Sequence, residues 1–216
     1  MLSWLAALDA TRCVACDAED EESCAPDARI CEACEALLPS RLERLPQAPA
    51  CCGGAWTLGD YAGLPGQLVR LAKYGRDEAT GGVIAERLAR AAAPLAGLYD
   101  VVVPVPSHPL RTWVRGSALP AILARATAAS LGAPRMDALQ RVGFRAQAGR
   151  TRRQRAEDPA TRWRARAGVS GRVLLVDDVL TTGVTADGCA ATLLQAGAAR
   201  VDLLVVAAAR GQLLAA

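Results

Sequence analysis

Asp177 and Asp178 stand side by side at the end of an apolar run, residues 173–176, and Thr181-Thr182-Gly183-Val184-Thr185 follows them. A helix-like segment comes next. The order is strand, acids, small-polar turn, helix. Paired carboxylates can accept hydrogen bonds from vicinal hydroxyls such as those of a ribose. A threonine-rich turn at a helix N-terminus offers hydroxyls and backbone N–H groups to a phosphate, where the helix dipole favours an anion. Gly183 lets the backbone approach such a ligand with no Cβ in the way. Together these residues suit the pieces of a ribose 5-phosphate. A Walker-type nucleotide loop fits less well, because no Gly-Lys-Ser/Thr follows the strand. The plainer alternative is a buried strand followed by a solvated turn.

A second strand end carries anion-binding residue types. After the β-branched run at 100–105 come Pro106, Ser107, His108, Arg111 and Arg115. Backbone N–H groups of Ser107 and His108, with the two guanidiniums, can hold a pyrophosphate. Spacing alone is a weaker signal here, since the chain has 24 arginines. Lys73 is its one lysine and His108 its one histidine. Lys73 lies near the end of a helical pattern, where it fits either a ligand contact or the helix dipole. His108 fits either a ligand contact or a loop cap.

Seven of eight cysteines precede residue 53. Cys13-Val-Ala-Cys16 and Cys31-Glu-Ala-Cys34 are two Cys-x-x-Cys pairs separated by 14 residues. Such knuckles can present four thiolates tetrahedrally to one Zn²⁺. Disulfides and unrelated thiols are the alternatives, and a cytoplasmic setting disfavours disulfides. Cys24, between the knuckles, can stand in for one ligand; adjacent Cys51 and Cys52 are awkward joint ligands. Cys189 reads as a small core residue. The loop between the knuckles carries Asp17, Glu19, Asp20, Glu21 and Glu22, which would repel nucleic-acid phosphates, so a scaffold or docking role suits it better.

Apolar residues make up 52% of the 216, enough for one ordinary domain plus a small appendage. No apolar run approaches the ~20 residues of a membrane span. The first residues lack a basic stretch and a long apolar one, so no signal peptide, no membrane insertion and a cytoplasmic location are expected. Charge is uneven: residues 1–50 hold ten acids and four arginines, while 141–166 alone hold nine arginines. That asymmetry points to an anion site in the later part.

The elements that must position these residues follow from periodicity. Residues 36–55, with prolines and a Gly-Gly, read as a linker with a short helical turn. The pattern predicts a strand at 56–61, a helix from Pro65 to near Gly75 and a helix at 82–93. A strand at 99–105 and a helix at 117–131 follow. Residues 143–166 lack apolar periodicity and read as a long mobile loop. A strand at 172–177, a helix at 184–196 and a strand at 200–208 complete the chain. Strands alternating with helices predict an α/β fold with a parallel sheet flanked by helices. Its ligand site should lie at the carboxyl ends of the strands. A division into a zinc-ribbon-like segment with linker, 1–55, and a main domain, 56–216, is expected.

The stretch 173–185 resembles the phosphoribosyl pyrophosphate (PRPP) motif of type I phosphoribosyltransferases, and nearly the whole chain resembles the ComF family of phosphoribosyltransferase-like competence proteins. The likeness rests on the two Cys-x-x-Cys pairs, Leu71-Ala72-Lys73-Tyr74-Gly75, the Val-Pro-Val-Pro-Ser-His-Pro element at 103–109, Arg115-Gly116 and the PRPP motif. Gln147-Ala148-Gly149, Gln154-Arg155, Asp158 and Trp163 align with the family's loop. The chain departs from the family at Ser117-Ala118-Leu119, where Phe-Asn-Gln is usual, and at Asp158, where Asn is usual. A further Cys-x-x-Cys is reduced to Cys51-Cys52-Gly53.

The resemblance implies a type I phosphoribosyltransferase-like fold that binds PRPP with Mg²⁺. It implies that Asp177 and Asp178 fix the ribose, and that Thr181, Thr182, Gly183, Val184 and Thr185 hold the 5-phosphate. Ser107, His108, Arg111, Arg115 and Lys73 would hold pyrophosphate. Asp177, Asp178, Lys73 and Arg155 are the expected catalytic residues, and the loop would close over them. Two functions fit: transfer of phosphoribosyl with release of pyrophosphate, or PRPP-responsive binding without turnover in DNA uptake. The second implies competence-machinery partners and single-stranded DNA held by the arginine-rich loop 143–166.

Overall fold

The computed structural model describes residues 13–18, 30–74, 78–107, 119–142, 163–209 and 211. Its centre is a five-stranded sheet in the order β1-β2-β7-β6-β3. The strands are β1 (Glu43–Arg44), β2 (Ala55–Asp60), β3 (Val101–Pro104), β6 (Arg172–Leu180) and β7 (Arg200–Ala208). Four of them run parallel, and β1 pairs antiparallel with β2 at the edge. A two-stranded antiparallel ribbon joins β4 (Leu139–Arg141) to β5 (Trp163–Ala165).

Val173 to Val176 and Val201 to Val206, Asp202 apart, are almost wholly apolar because both faces of the sheet are covered. On one face Leu174, Val176, Leu204 and Val206 pack with α2 (Leu64–Tyr74), α3 (Glu78–Ala92) and α4 (Leu119–Leu131). On the other, Val173, Leu175, Leu203 and Val205 pack with α5 (Val184–Gln195) and with Leu139 and Trp163 of the ribbon. The expected α/β architecture is therefore present, with one antiparallel edge strand. No described helix is long and apolar enough to cross a membrane.

Several elements differ from their sequence expectation. Helix α3 begins at Glu78, four residues before the periodic pattern suggests. Gly81 and Gly82 both lie inside the helix, and an added Cβ at Gly81 would meet Leu119 and Ile122 of α4 at 3.6 Å, an ordinary contact distance. Residues 163–165, read as loop, form β5; a three-residue strand is too short to show periodicity. The linker expectation for 36–55 gives way to structure: the helical turn lies earlier, as α1 (Glu32–Leu37), and β1 joins the main sheet. Residues on both sides of position 55 share that sheet.

The cysteine segment also shares the main core. Cys13, Ile30, Cys31, Cys34 and Leu38 are buried in one cluster with Leu68, Val69 and Leu88. Gln67 of α2 donates to the Ala15 carbonyl at 2.7 Å. Arg87 of α3, with a side chain only 13% exposed, donates to the Glu35 carboxylate at 2.7 Å and to the carbonyls of Glu35 and Leu38 at 2.9 and 2.7 Å. Arg87→Ala would strand those carbonyls at a packed boundary. It should cost about 2 kcal/mol in urea unfolding, the scale for losing partly buried hydrogen bonds to a charged group. A change under about 0.5 kcal/mol would show that the clamp contributes nothing.

Candidate functional site

Sequence places the acids at the end of a strand, but β6 continues three residues past Asp177. Pairing with β7 carries it on, through Asp177 with Val205, Val179 with Ala207 and Leu180 with Ala208. Both acids thus lie inside a strand. Successive side chains of a strand point to opposite faces, so the two carboxylates separate. Asp177 lines a cleft on the α5 face with Thr181, Thr182, Gly183 and Thr185. Asp178 faces α2, where Lys73 Nζ donates to its Oδ1 at 2.6 Å.

The cleft is open to solvent, and Val179, Leu203 and Val205 also line it. Gly183 is the N-cap of α5 with φ +78°, a left-handed conformation that a side chain would strain. It makes no side-chain cap, so the first-turn N–H groups gain no side-chain oxygen from it. Thr181, Thr182, Val184 and Thr185 are exposed around that end. Of the expected anion-binding residues, Thr181, Thr182, Gly183 and Thr185 surround one opening with Asp177, at the carboxyl end of β6, and Val184 is exposed beside it.

Electrostatics separate the two acids further. Burial, then the neighbouring Asp178 charge, push the Asp177 carboxyl from its ordinary 3.8 up to about 8. The Asp178 backbone N–H, which donates to Asp177 Oδ1 at 2.8 Å, and the Lys73 charge oppose that rise only in part. Asp178 is 8% exposed and has an ammonium beside it. Pairing of this kind is what a buried charge requires. Lys73 reaches it from the last turn of α2, whose start packs tightly: a Cβ on Gly66 would overlap the Tyr61 carbonyl.

Of the expected pyrophosphate ligands, Lys73 is described on Asp178, and so is Ser107. It is partly exposed three residues past the end of β3, beside β6, and Val105 N–H donates to the Val176 carbonyl at 2.8 Å. His108, Arg111, Arg115 and Arg155 lie outside the described residues, as do Cys24, Gln147 and Asp158. Cys189 is fully buried in the helix behind the loop, and burial pushes its thiol up. Sequence reasoning missed Pro49, Cys51 and Asp187, which meet behind the turn. Cys51 N–H donates to Asp187 Oδ1 at 3.0 Å across 136 residues of sequence, a contact with no local signal.

The four expected metal ligands converge. The sulfurs of Cys13, Cys16, Cys31 and Cys34 lie within 4.8 Å of one another. Cys16 and Cys31 sulfurs are 3.7 Å apart. Tetrahedral Zn–S bonds of about 2.3 Å place sulfurs about 3.8 Å apart, so the set fits Zn²⁺. Asp17, at φ +59°, turns the first knuckle, and its N–H donates to the Cys13 carbonyl at 2.9 Å. Cys13 Sγ accepts from the N–H groups of Ala15 at 3.4 Å and Cys31 at 3.3 Å. Burial pushes the Cys13 thiol up, but backbone N–H groups, Cys31's first, outweigh it and bring it to about 7. Burial, then the adjacent thiols, push Cys34 up. A zinc ion there would tie the knuckles together.

No protein-family model matches the chain, and no curated protein matches it. Among solved structures it is similar to a glutamine PRPP amidotransferase from B. subtilis complexed with ADP and GMP, at 21% identity and a TM-score of 0.43. It is also similar to an allosteric regulatory enzyme of purine biosynthesis, at 23% identity and a TM-score of 0.42. Each match covers 58% of this chain and 26% of the other, so the chain spans about a quarter of the length of those structures.

The raised Asp177 carboxyl fixes the sign of a pH effect. Between the ordinary 3.8 and about 8, the folded chain keeps a proton that the unfolded chain has lost. That stabilisation is present at low pH and is lost as pH rises toward 8. Wild-type unfolding free energy should fall across this window relative to Asp177→Asn, which has nothing to titrate there. Parallel stability curves would refute the assignment. At the cysteine cluster, elemental analysis should find one zinc per chain, absent from Cys13→Ser and Cys31→Ser. Purified folded protein without metal would exclude the zinc site.

Proposed function

We propose that this chain binds PRPP as a type I phosphoribosyltransferase-like protein of the ComF kind. One observation carries the reading: a carboxylate and the threonine-rich N-terminus of α5, with no side-chain cap from Gly183, line the same cleft. The 5-phosphate takes the N–H groups and hydroxyls of residues 181–185, with charge favoured by the helix dipole. The Asp177 carboxyl hydrogen-bonds a ribose hydroxyl. Lys73, now on Asp178, lies near enough to the acids to offer its ammonium to the pyrophosphate, beside Ser107 and with His108, Arg111 and Arg115. Mg²⁺, carried by the ligand's own oxygens, would spread the charge of the leaving group.

Transfer would break the bond from ribose C1 to a pyrophosphate oxygen, which departs with the electron pair. A nucleophile's lone pair forms the new bond to C1, and its proton goes to solvent. The Asp177 carboxyl fixes the ribose while positive charge develops on the ring, and Arg155 belongs to the loop expected to exclude water. The zinc segment is structural in this reading.

A second function, PRPP-responsive binding of single-stranded DNA in natural transformation, is favoured by exposed Arg141, Arg164 and Arg166 on and beside the β4–β5 ribbon. These flank the arginine-rich stretch 143–162. Such binding would weaken steeply with salt.

Calorimetric titration with PRPP and Mg²⁺, followed by assay of pyrophosphate, tests the proposal. Binding is expected. Asp177→Asn combined with Asp178→Asn should weaken it by roughly 10- to 100-fold, as lost hydrogen bonds to charged groups do, with circular dichroism unchanged. Equal affinity in the double variant would overturn the site assignment. Pyrophosphate release with an acceptor marks an enzyme; binding without release marks a sensor.

A further inference from the structure

The turn at 181–183 needs support that its own sequence does not give. Gly183 holds a left-handed φ of +78° and contributes no side-chain cap to α5. The turn at residues 49–52 lies against it. The Pro49 ring carbons are 3.5 Å from the point where a Gly183 Cβ would stand. That turn is itself tied at three points. Cys52 N–H donates to the Pro49 carbonyl at 2.8 Å, Gly53 N–H donates to the Val201 carbonyl at 2.9 Å, and Cys51 N–H donates to Asp187 Oδ1 at 3.0 Å. Asp187 lies in the first turn of α5, its own N–H on the Gly183 carbonyl at 2.8 Å. One side chain therefore joins the helix end to the turn that backs the glycine.

We infer that Asp187 is a positioning residue for the anion-binding turn, holding residues 181–183 in their phosphate-accepting shape by accepting the Cys51 N–H. This rests on the 5-phosphate reading above and names the part of the chain that pre-organises it. The charge makes the inference testable by sign. A carboxylate in the first turn of a phosphate-binding helix repels the ligand, so charge alone predicts that removing it tightens binding. Bracing predicts the opposite for any variant that loses the acceptor oxygen. Pre-organised donors bind anions better because little ordering remains to be done on binding.

The experiment titrates the full-length protein and its variants with ribose 5-phosphate by calorimetry, with thermal unfolding alongside. Asp187→Ala should bind at least about 5-fold more weakly. Asp187→Asn keeps an oxygen for the Cys51 N–H and should bind as tightly as wild type or more tightly. Should Asp187→Ala fail to fold, Pro49→Ala decides, since it removes the ring behind Gly183 and leaves every backbone donor; it should also bind more weakly. Wild-type affinity or better in Asp187→Ala, or in Pro49→Ala when that variant decides, overturns the brace and leaves the 5-phosphate reading intact. Equal losses in Asp187→Ala and Asp187→Asn overturn it too, because the acceptor oxygen would not be what matters. Wild-type protein that fails to bind ribose 5-phosphate overturns both readings together.

Discussion

Side chains alternate across a β-strand, and β6 applies that rule to two consecutive acids. The strand is central, with β3 on one side and β7 on the other, and apolar residues cover both faces up to Val176. An acid at either of the next two positions enters the edge of a packed layer. The two faces then solve the problem differently. Helix α2 brings an ammonium to Asp178, whereas the α5 face leaves Asp177 with a backbone N–H and an open cleft. The positions of α2 and α5 relative to the sheet, and the lengths at which they end, are what make the paired acids tolerable.

That difference gives the two carboxyls separate characters without changing their chemistry. A buried carboxylate loses hydration and recovers it only from a cation or from donors. Asp178 has the cation. Among the described residues Asp177 has no comparable partner on its own face, so burial and the neighbouring charge favour its neutral form. A ligand that brings hydroxyl donors into the cleft would supply what the protein withholds, and binding and ionisation there are linked.

Much of the architecture was legible in the sequence. The run 172–176, the helix after Gly183 and the strand at 200–208 each satisfy one strong periodic pattern, and the structure places them within a few residues of expectation. The knuckle spacing likewise brought four sulfurs together. Less legible were features that depend on distant partners. The length of β6 beyond its apolar run is set by β7, not by its own residues. The contacts of Lys73 with Asp178 and of Cys51 with Asp187 join residues 105 and 136 positions apart. Gly81 and Gly82 lie inside α3 although their type disfavours helix, because helix propensity is local and the packing of α3 on its neighbours is not. Residues 43–44 look like linker because two residues carry no period, yet β2 offers them an edge to pair with.

The alternation along β6 has a consequence for length variation. In a strand flanked on both sides by parallel neighbours, substitution at 177 or 178 changes one group. Inserting or deleting a single residue between Arg172 and Asp177 would instead rotate every later side chain to the opposite face. The acid with the ammonium would turn toward the threonine cleft, and the cleft's acid would turn into the α2 layer. The site therefore tolerates changes of residue type far better than changes of chain length, and loops elsewhere must absorb any gain or loss of residues.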